Sequence, residues 1–203
     1  MNDIKIHVLH TGRVCVSPYL PFGGSCGIIK AAGLTTPRRK WIWLPVSAYY
    51  IEHPKGRLLV DTGWSRAISP LGTYDRIAQI RYATRWWAKC RLEGFDWNDT
   101  EGPFSRTFDL FGDGSVKLIN IPGHSDGLCA VKLRGADGSF VLLYSDGGYA
   151  SRSWQELITS GISSAPAAQM RSLKWIREQS LDPKCVESLA NHAPDIAPHI
   201  ITI

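Results

Sequence analysis

The sequence predicts a layered α/β (α+β) sandwich in which most neighbouring strands are antiparallel. Two observations indicate this architecture. In the first half, residues 46–52 and 57–61 have the character of strands, and the turn His53-Pro54-Lys55-Gly56 joins them. In the second half, apolar strands are mixed with segments whose apolar residues recur at helical spacing. This order, strands first and then strands with helices, is typical of packed sheets with helices outside them.

The individual elements follow from local patterns along the chain. Predicted strands cover residues 4–9, 46–52, 57–61 and 185–190, and a further apolar strand precedes each of His124 and Asp146. Predicted helices cover residues 74–92, 153–159 and 165–178. We expect Ser151 or Ser153 to cap the second of these helices, because Glu156 stands at capping-box spacing from Ser153.

Composition limits the class of protein. A chain of 203 residues can bury a substantial core, and we expect one domain over residues 1–203. The net charge of +5 comes without the basic stripe that a nucleic-acid site requires. Five scattered cysteines without a CxxC pair argue against both a disulfide framework and a zinc finger. We recognise no signal peptide and no membrane span, and therefore expect a cytoplasmic protein that binds neither nucleic acid nor a membrane.

Three polar residues follow apolar strands and form the candidate site. His124 comes after Pro122-Gly123, Asp146 ends the strand before Gly147-Gly148, and His192 follows the strand at 185–190. Two imidazoles and a carboxylate can bind zinc and leave one position for water. The alternative is that both histidines are turn residues satisfied by hydrogen bonds to the backbone. Spacing alone leaves both interpretations open.

Four segments in the same order resemble the metallo-β-lactamase superfamily. LLVDTGW is similar to its DTG strand end, and IPGHSDG resembles its PGHTxG segment. YSDGGY resembles the strand that ends in the metal-bridging Asp, and LANHAPD is similar to the late segment that carries the last His. HPKGRLLVDTGW and the Asp-x-x-Tyr at residues 146–149 resemble the N-acyl-homoserine lactonase branch most. The resemblance implies an αββα sandwich with mostly antiparallel sheets.

The resemblance also implies a role for each matching residue. His124 would bind the first metal, Asp146 would bridge two metals, and His192 would bind the second. Tyr149 would hydrogen-bond the substrate carbonyl, although a packed aromatic beside a Gly-Gly turn is the competing interpretation. Asp61 would hold the neighbouring loops rather than bind metal. The family reaction is hydrolysis of a lactone, such as an N-acyl-homoserine lactone, by a metal-bound hydroxide.

One departure from the family pattern is large. The HxHxDH motif, which supplies two ligands to each metal, is absent, and no histidine stands between His53 and His124. The chain resembles one from which several tens of residues, comprising a strand, the motif loop and a helix, have been deleted near Ile80 and Arg81. In a two-metal site the ions lie about 3.5–4 Å apart and each needs several ligands. Only one dedicated histidine per metal and the bridging Asp146 remain in this sequence, so we expect one zinc ion at most, or none.

Three hypotheses follow. The chain is a lactonase-like metal-dependent hydrolase of a small lactone or ester, with impaired or lost activity. Alternatively, it is a non-catalytic protein of the same fold that binds a ligand or forms dimers, since a homodimer would cover surface exposed by the missing strand. The third hypothesis is a defective gene product whose intact relatives are lactonases. The fold alone does not distinguish them, because one fold supports many functions.

Overall fold

The computed structural model describes residues 3–24, 26–61 and 94–203. Its elements in chain order are β1 (Lys5–Val16), α1 (Tyr19–Phe22), α2 (Ile28–Ala31), a 3-10 turn (Arg38–Lys40), β2 (Ile42–His53), β3 (Gly56–Val60), β4 (Thr107–Asp109), β5 (Val116–Asn120), β6 (Cys129–Arg134), β7 (Phe140–Ser145), α3 (Ser151–Glu156), α4 (Pro166–Ser180), β8 (Cys185–Ala190) and β9 (His199–Thr202). None of the helices in these ranges has the length and hydropathy needed to cross a membrane.

The described strands form two sheets. The first has the order β3-β2-β1-β9 and the second has the order β4-β5-β6-β7-β8. Every pair is antiparallel except β7 and β8, which run parallel because α3 and α4 lie between them in the chain. The predicted mixed fold with mostly antiparallel pairing is confirmed.

Two apolar clusters hold these layers together. The first lies between the two sheets, where every second side chain along a strand points inward. Its members are Ile4, Ile6, Val8, Tyr49, Ile51, Val116, Val131, Leu133, Val141, Leu143, Leu189 and Ile201. The second lies between the second sheet and α4, with Leu142 and Tyr144 facing Leu173 and Ile176. Residues of β7 alternate between the two clusters, as the two-residue period of a strand requires.

Most predicted elements are present with shifted ends. The strand at 185–190 has the predicted bounds, and the helix at 165–178 is α4, which ends at Ser180. The predicted cap of α3 is wrong. Ala150 is the residue at the N-cap and no side chain bonds there, whereas the Ser153 hydroxyl oxygen accepts a hydrogen bond from the Tyr149 backbone N–H. The predicted helix at 74–92 and the inferred deletion near Ile80 lie outside the described residues.

Candidate active site

His124 lies on a loop that is fastened to the start of α4. The carbonyl oxygen of Gly123 accepts hydrogen bonds from the Ser163 hydroxyl at 2.6 Å, the Ser164 hydroxyl at 3.1 Å and the Ala165 backbone N–H at 3.1 Å. Gly123 has φ of +140° and lies directly against the backbone of Gln169. The loop can come this close to the helix because Gly123 has no side chain.

Asp146 follows the last residue of β7, and His192 stands two residues after the end of β8. Nδ1 of His192 lies 2.7 Å from the carbonyl oxygen of Pro45. A carbonyl oxygen only accepts hydrogen bonds, so Nδ1 carries the proton and donates it. In the neutral ring Nε2 then has a free lone pair, and it lies 3.4 Å from Oδ1 of Asp146. This is the tautomer that a metal-binding histidine needs.

The second imidazole approaches the other oxygen of the same carboxylate. Nε2 of His124 lies 3.7 Å from Oδ2 of Asp146. The carboxylate is therefore flanked by two histidine rings, each facing its own oxygen. The distance from His124 exceeds hydrogen-bonding range, and that from His192 is at its limit.

Tyr149 packs against both imidazoles. Its ring stacks on His192, with centroids 5.4 Å apart and planes inclined by 19°, and meets the His124 ring edge-on at 6.1 Å. Burial and, secondly, the charge of Asp146 raise the pKa of the Tyr149 phenol above its ordinary value. The hydroxyl group is therefore protonated at neutral pH and can donate a hydrogen bond.

The donors around Asp146 suit a metal ion in kind but not in their arrangement. Oδ1 of Asp146 and Nδ1 of His124 are buried and have no hydrogen-bond partner within the described part of the chain. A lone pair of His192 that faces a carboxylate oxygen is repulsive unless a cation or a proton lies between them. However, no group of three or more His, Cys, Asp or Glu side chains in the described ranges is arranged to hold a metal. His124, Asp146 and His192 equal in number the three protein ligands of a catalytic zinc ion, but the two imidazoles face different oxygens of Asp146 instead of one shared point.

The structure brings together His124, Asp146, His192 and Tyr149, which the sequence predicted as one site. Asp61 lies next to this group, because its Oδ2 accepts a hydrogen bond of 2.6 Å from the side-chain amide of Asn191. Sequence reasoning missed Asn191. Its position directly before His192 at a strand end was the only signal that pointed to it.

Comparisons with known proteins agree with this fold. No protein-family model matches the chain. Two curated N-acyl homoserine lactonases named AttM, from Rhizobium radiobacter and Agrobacterium fabrum (strain C58 / ATCC 33970), are each 27% identical over 84 residues. That alignment covers 41% of this chain and only 32% of each lactonase, so the similar sequence spans about a third of those proteins.

Solved structures are similar over nearly the whole chain. An N-acyl homoserine lactone hydrolase with N-hexanoyl-L-homoserine at its catalytic metal centre superposes with a TM-score of 0.61 at 15% identity, covering 95% of this chain and 94% of that one. A quorum-quenching N-acyl homoserine lactone lactonase gives 0.62 at 15% identity, with 95% and 93% covered. The dizinc lactonase AidC gives 0.57 at 11% identity, with 98% and 94% covered. The predicted resemblance is thus confirmed: the chain has the metallo-β-lactamase fold that the N-acyl homoserine lactonase structures share.

Proposed function

We propose that this chain is a lactonase-like, metal-dependent hydrolase by descent, and that its hydrolysis of lactones such as N-acyl homoserine lactones is impaired or lost. The observation that carries the proposal is the Asp146 carboxylate flanked by His124 and His192, with Tyr149 against both rings. The lactonase fold supports it. The absence of HxHxDH from the sequence is the reason to expect weak activity.

The residues of this chain would share the work of hydrolysis. His124, Asp146 and His192 would hold a zinc ion, which when bound supplies a nucleophile at neutral pH and polarises the lactone carbonyl. Pro45 keeps the proton of His192 on Nδ1 and so keeps Nε2 available as a ligand. The protonated Tyr149 hydroxyl would donate a hydrogen bond to the carbonyl oxygen and stabilise the negative charge that develops there.

The test measures zinc and turnover in the same purified protein. We expect one zinc ion and not two per chain after loading and dialysis, together with slow or undetectable hydrolysis of N-hexanoyl-homoserine lactone. His124→Ala should abolish zinc retention, because it removes one of the three donors. His10→Ala is the matched control, since His10 is exposed on β1 and takes no part in the site. Failure of the wild-type protein to retain any zinc, or equal retention by His124→Ala, would contradict the proposal.

Further proposals complete this assignment. We infer that residues 1–203 fold as one domain, because the first apolar cluster draws on both sheets. We also infer that the protein works in the cytoplasm, since Cys15, Cys26, Cys129 and Cys185 are free thiols, which suit a reducing compartment. Its partner would be a small lactone or ester.

A second candidate is a non-catalytic protein that forms dimers. On the outer face of the first sheet, Leu59 pairs with Tyr50 and Ile200 pairs with His7 in one row across the four strands. Leu59 is 58% exposed and Ile200 is 60% exposed. These two side chains lie at the ends of the row, and a second chain packed on this face would cover both of them. Sedimentation velocity should then show a dimer that Ile200→Lys converts to a monomer, and a wild-type protein that is monomeric would exclude this candidate.

A further inference from the structure

Asn191 joins the ends of three strands beneath the candidate site. Its side-chain amide donates a hydrogen bond of 2.6 Å to Oδ2 of Asp61, directly after β3, and one of 3.2 Å to the hydroxyl oxygen of Ser145, the last residue of β7. Asn191 itself directly follows β8 and is only 3% exposed. One buried amide group therefore connects the first sheet with two strands of the second sheet.

Two hydrogen bonds from β2 hold the backbone at Asn191 and at the residue before it. The carbonyl oxygen of Asn191 accepts a hydrogen bond of 2.9 Å from the Ser47 backbone N–H. The preceding carbonyl, that of Ala190, accepts a hydrogen bond of 3.0 Å from the Tyr49 hydroxyl. Both donors lie on β2, so Asn191 is held against the first sheet while its own strand belongs to the second. These contacts fix the backbone position from which the Asn191 side-chain amide reaches its two acceptors.

The two partners of Asn191 have unfavourable backbone conformations. Asp61 has φ of +61° and Ser145 has φ of +48°, in the left-handed region that residues with a side chain rarely adopt. The pairing of β7 with β8 also shifts register between Leu143 and Ser145. Such conformations persist only where surrounding contacts enforce them, and they cluster at functional sites. The amide of Asn191 is a contact that reaches both residues.

We propose that Asn191 is a positioning residue, which holds the Ser145 turn and the start of the His192 loop so that Asp146 and His192 face each other. Asp146 directly follows Ser145, and His192 directly follows Asn191. The hydrogen bond from the Asn191 side chain to the Ser145 hydroxyl therefore links the two backbone segments that carry Asp146 and His192. A side chain with two N–H groups suits this task because its two acceptors lie on different sheets. The function of this placement rests on the proposed metal-dependent hydrolase, but the placement itself is testable without metal or substrate.

The test uses the ring current of Tyr149, which makes the NMR resonances of the neighbouring His192 ring sensitive to its position. The rings of His192 and Tyr149 are stacked with centroids 5.4 Å apart, so the NMR resonances of the His192 ring protons depend on where that ring lies relative to Tyr149. We would record histidine ring resonances of the metal-free full chain at about pH 8.5, where an ordinary imidazole is neutral. Asn191→Ala should shift the His192 resonances, because the ring loses its fixed place beside Tyr149. The resonances of His53 and His199 should not move.

A matched control separates positioning from general destabilisation. Thr107→Val removes one hydrogen bond of a fully buried residue, that from the Thr107 hydroxyl to the carbonyl of Glu101, on the edge strand β4. We expect it to lower the melting temperature and leave the His192 resonances unchanged. Should Asn191→Ala fail to fold, Asn191→Ser gives the same readout, because a shorter hydroxyl side chain cannot reach both acceptors.

Three results would overturn the proposal. One is a folded Asn191 variant whose His192 resonances stay in place, and another is an equal displacement in Thr107→Val. The third is failure of both Asn191 variants to fold while Thr107→Val folds, which would make Asn191 a residue of stability alone. None of these results depends on zinc retention or on lactone turnover. Failure of the hydrolase proposal therefore remains distinguishable from failure of this one.

Discussion

Replacement of Gly123 by alanine should strongly destabilise the protein by separating the His124 loop from α4. A methyl group at Gly123 would overlap with the backbone nitrogen and Cα of Gln169 in the first turns of that helix. Backbone atoms cannot rotate away as a flexible side chain can, so either the loop or the helix must move. The φ angle of +140° at Gly123 adds a second penalty, because residues with a Cβ disfavour it.

The two penalties can be estimated separately. Overpacking a well-packed site costs about 1–3 kcal/mol, and a strained backbone conformation costs about 1–3 kcal/mol. Gly123→Ala should therefore lower the free energy of unfolding by about 2–6 kcal/mol. That is a large part of the roughly 5–15 kcal/mol that stabilises a typical domain.

Urea denaturation followed by tryptophan fluorescence measures this loss. Gly127→Ala is the matched control on the same loop, because a Cβ at Gly127 has no neighbouring atom within 4 Å. We expect the control to lie between no change and a gain of about 1 kcal/mol. Equal urea midpoints for Gly123→Ala and Gly127→Ala would refute the steric argument.

Two further predictions concern ionisable pairs. Lys132→Met should lower the free energy of unfolding by about 1.5–3 kcal/mol near neutral pH, since it leaves Glu101 without its 2.7 Å hydrogen bond. Burial raises the pKa of Glu101, but hydrogen bonds led by that from Lys132 outweigh it and lower the pKa. The pair thus stabilises the fold above about pH 4.3 and loses this contribution as pH falls through the lower native pKa, so urea midpoints of the two proteins should converge in acid. The pKa of His199 is raised, first by the carbonyl of Ala197 and also by Glu187. Its contribution is present below about pH 6.5 and lost as pH rises through the native pKa, so His199→Gln should be more destabilising at about pH 5.5 than at about pH 8.5; an equal effect at both pH values would contradict this.

Some of the fold followed directly from local sequence patterns. Strand β8 was predicted with its observed bounds because the segment lies between the helix stop at Asp182-Pro183 and the polar pair Asn191-His192. Helix α4 was predicted because its buried residues recur at helical spacing. The cap of α3 was predicted wrongly, since the Ser153 hydroxyl bonds the backbone N–H of Tyr149 instead of acting at the N-cap. The buried Lys132 was also missed, because its partner Glu101 lies on a distant loop that local periodicity does not address.

The sequence by itself determined which residues could form the site and which motif is absent. His124, Asp146 and His192 each end or follow an apolar strand, and HxHxDH does not occur in the chain. Only the tertiary structure decided how these residues meet. Each histidine faces a different oxygen of one carboxylate, Tyr149 packs against both rings, and Asn191 ties the strand ends together. The physical reason is that strand pairing and sheet packing, not local sequence, bring distant strand ends to one edge of the sandwich.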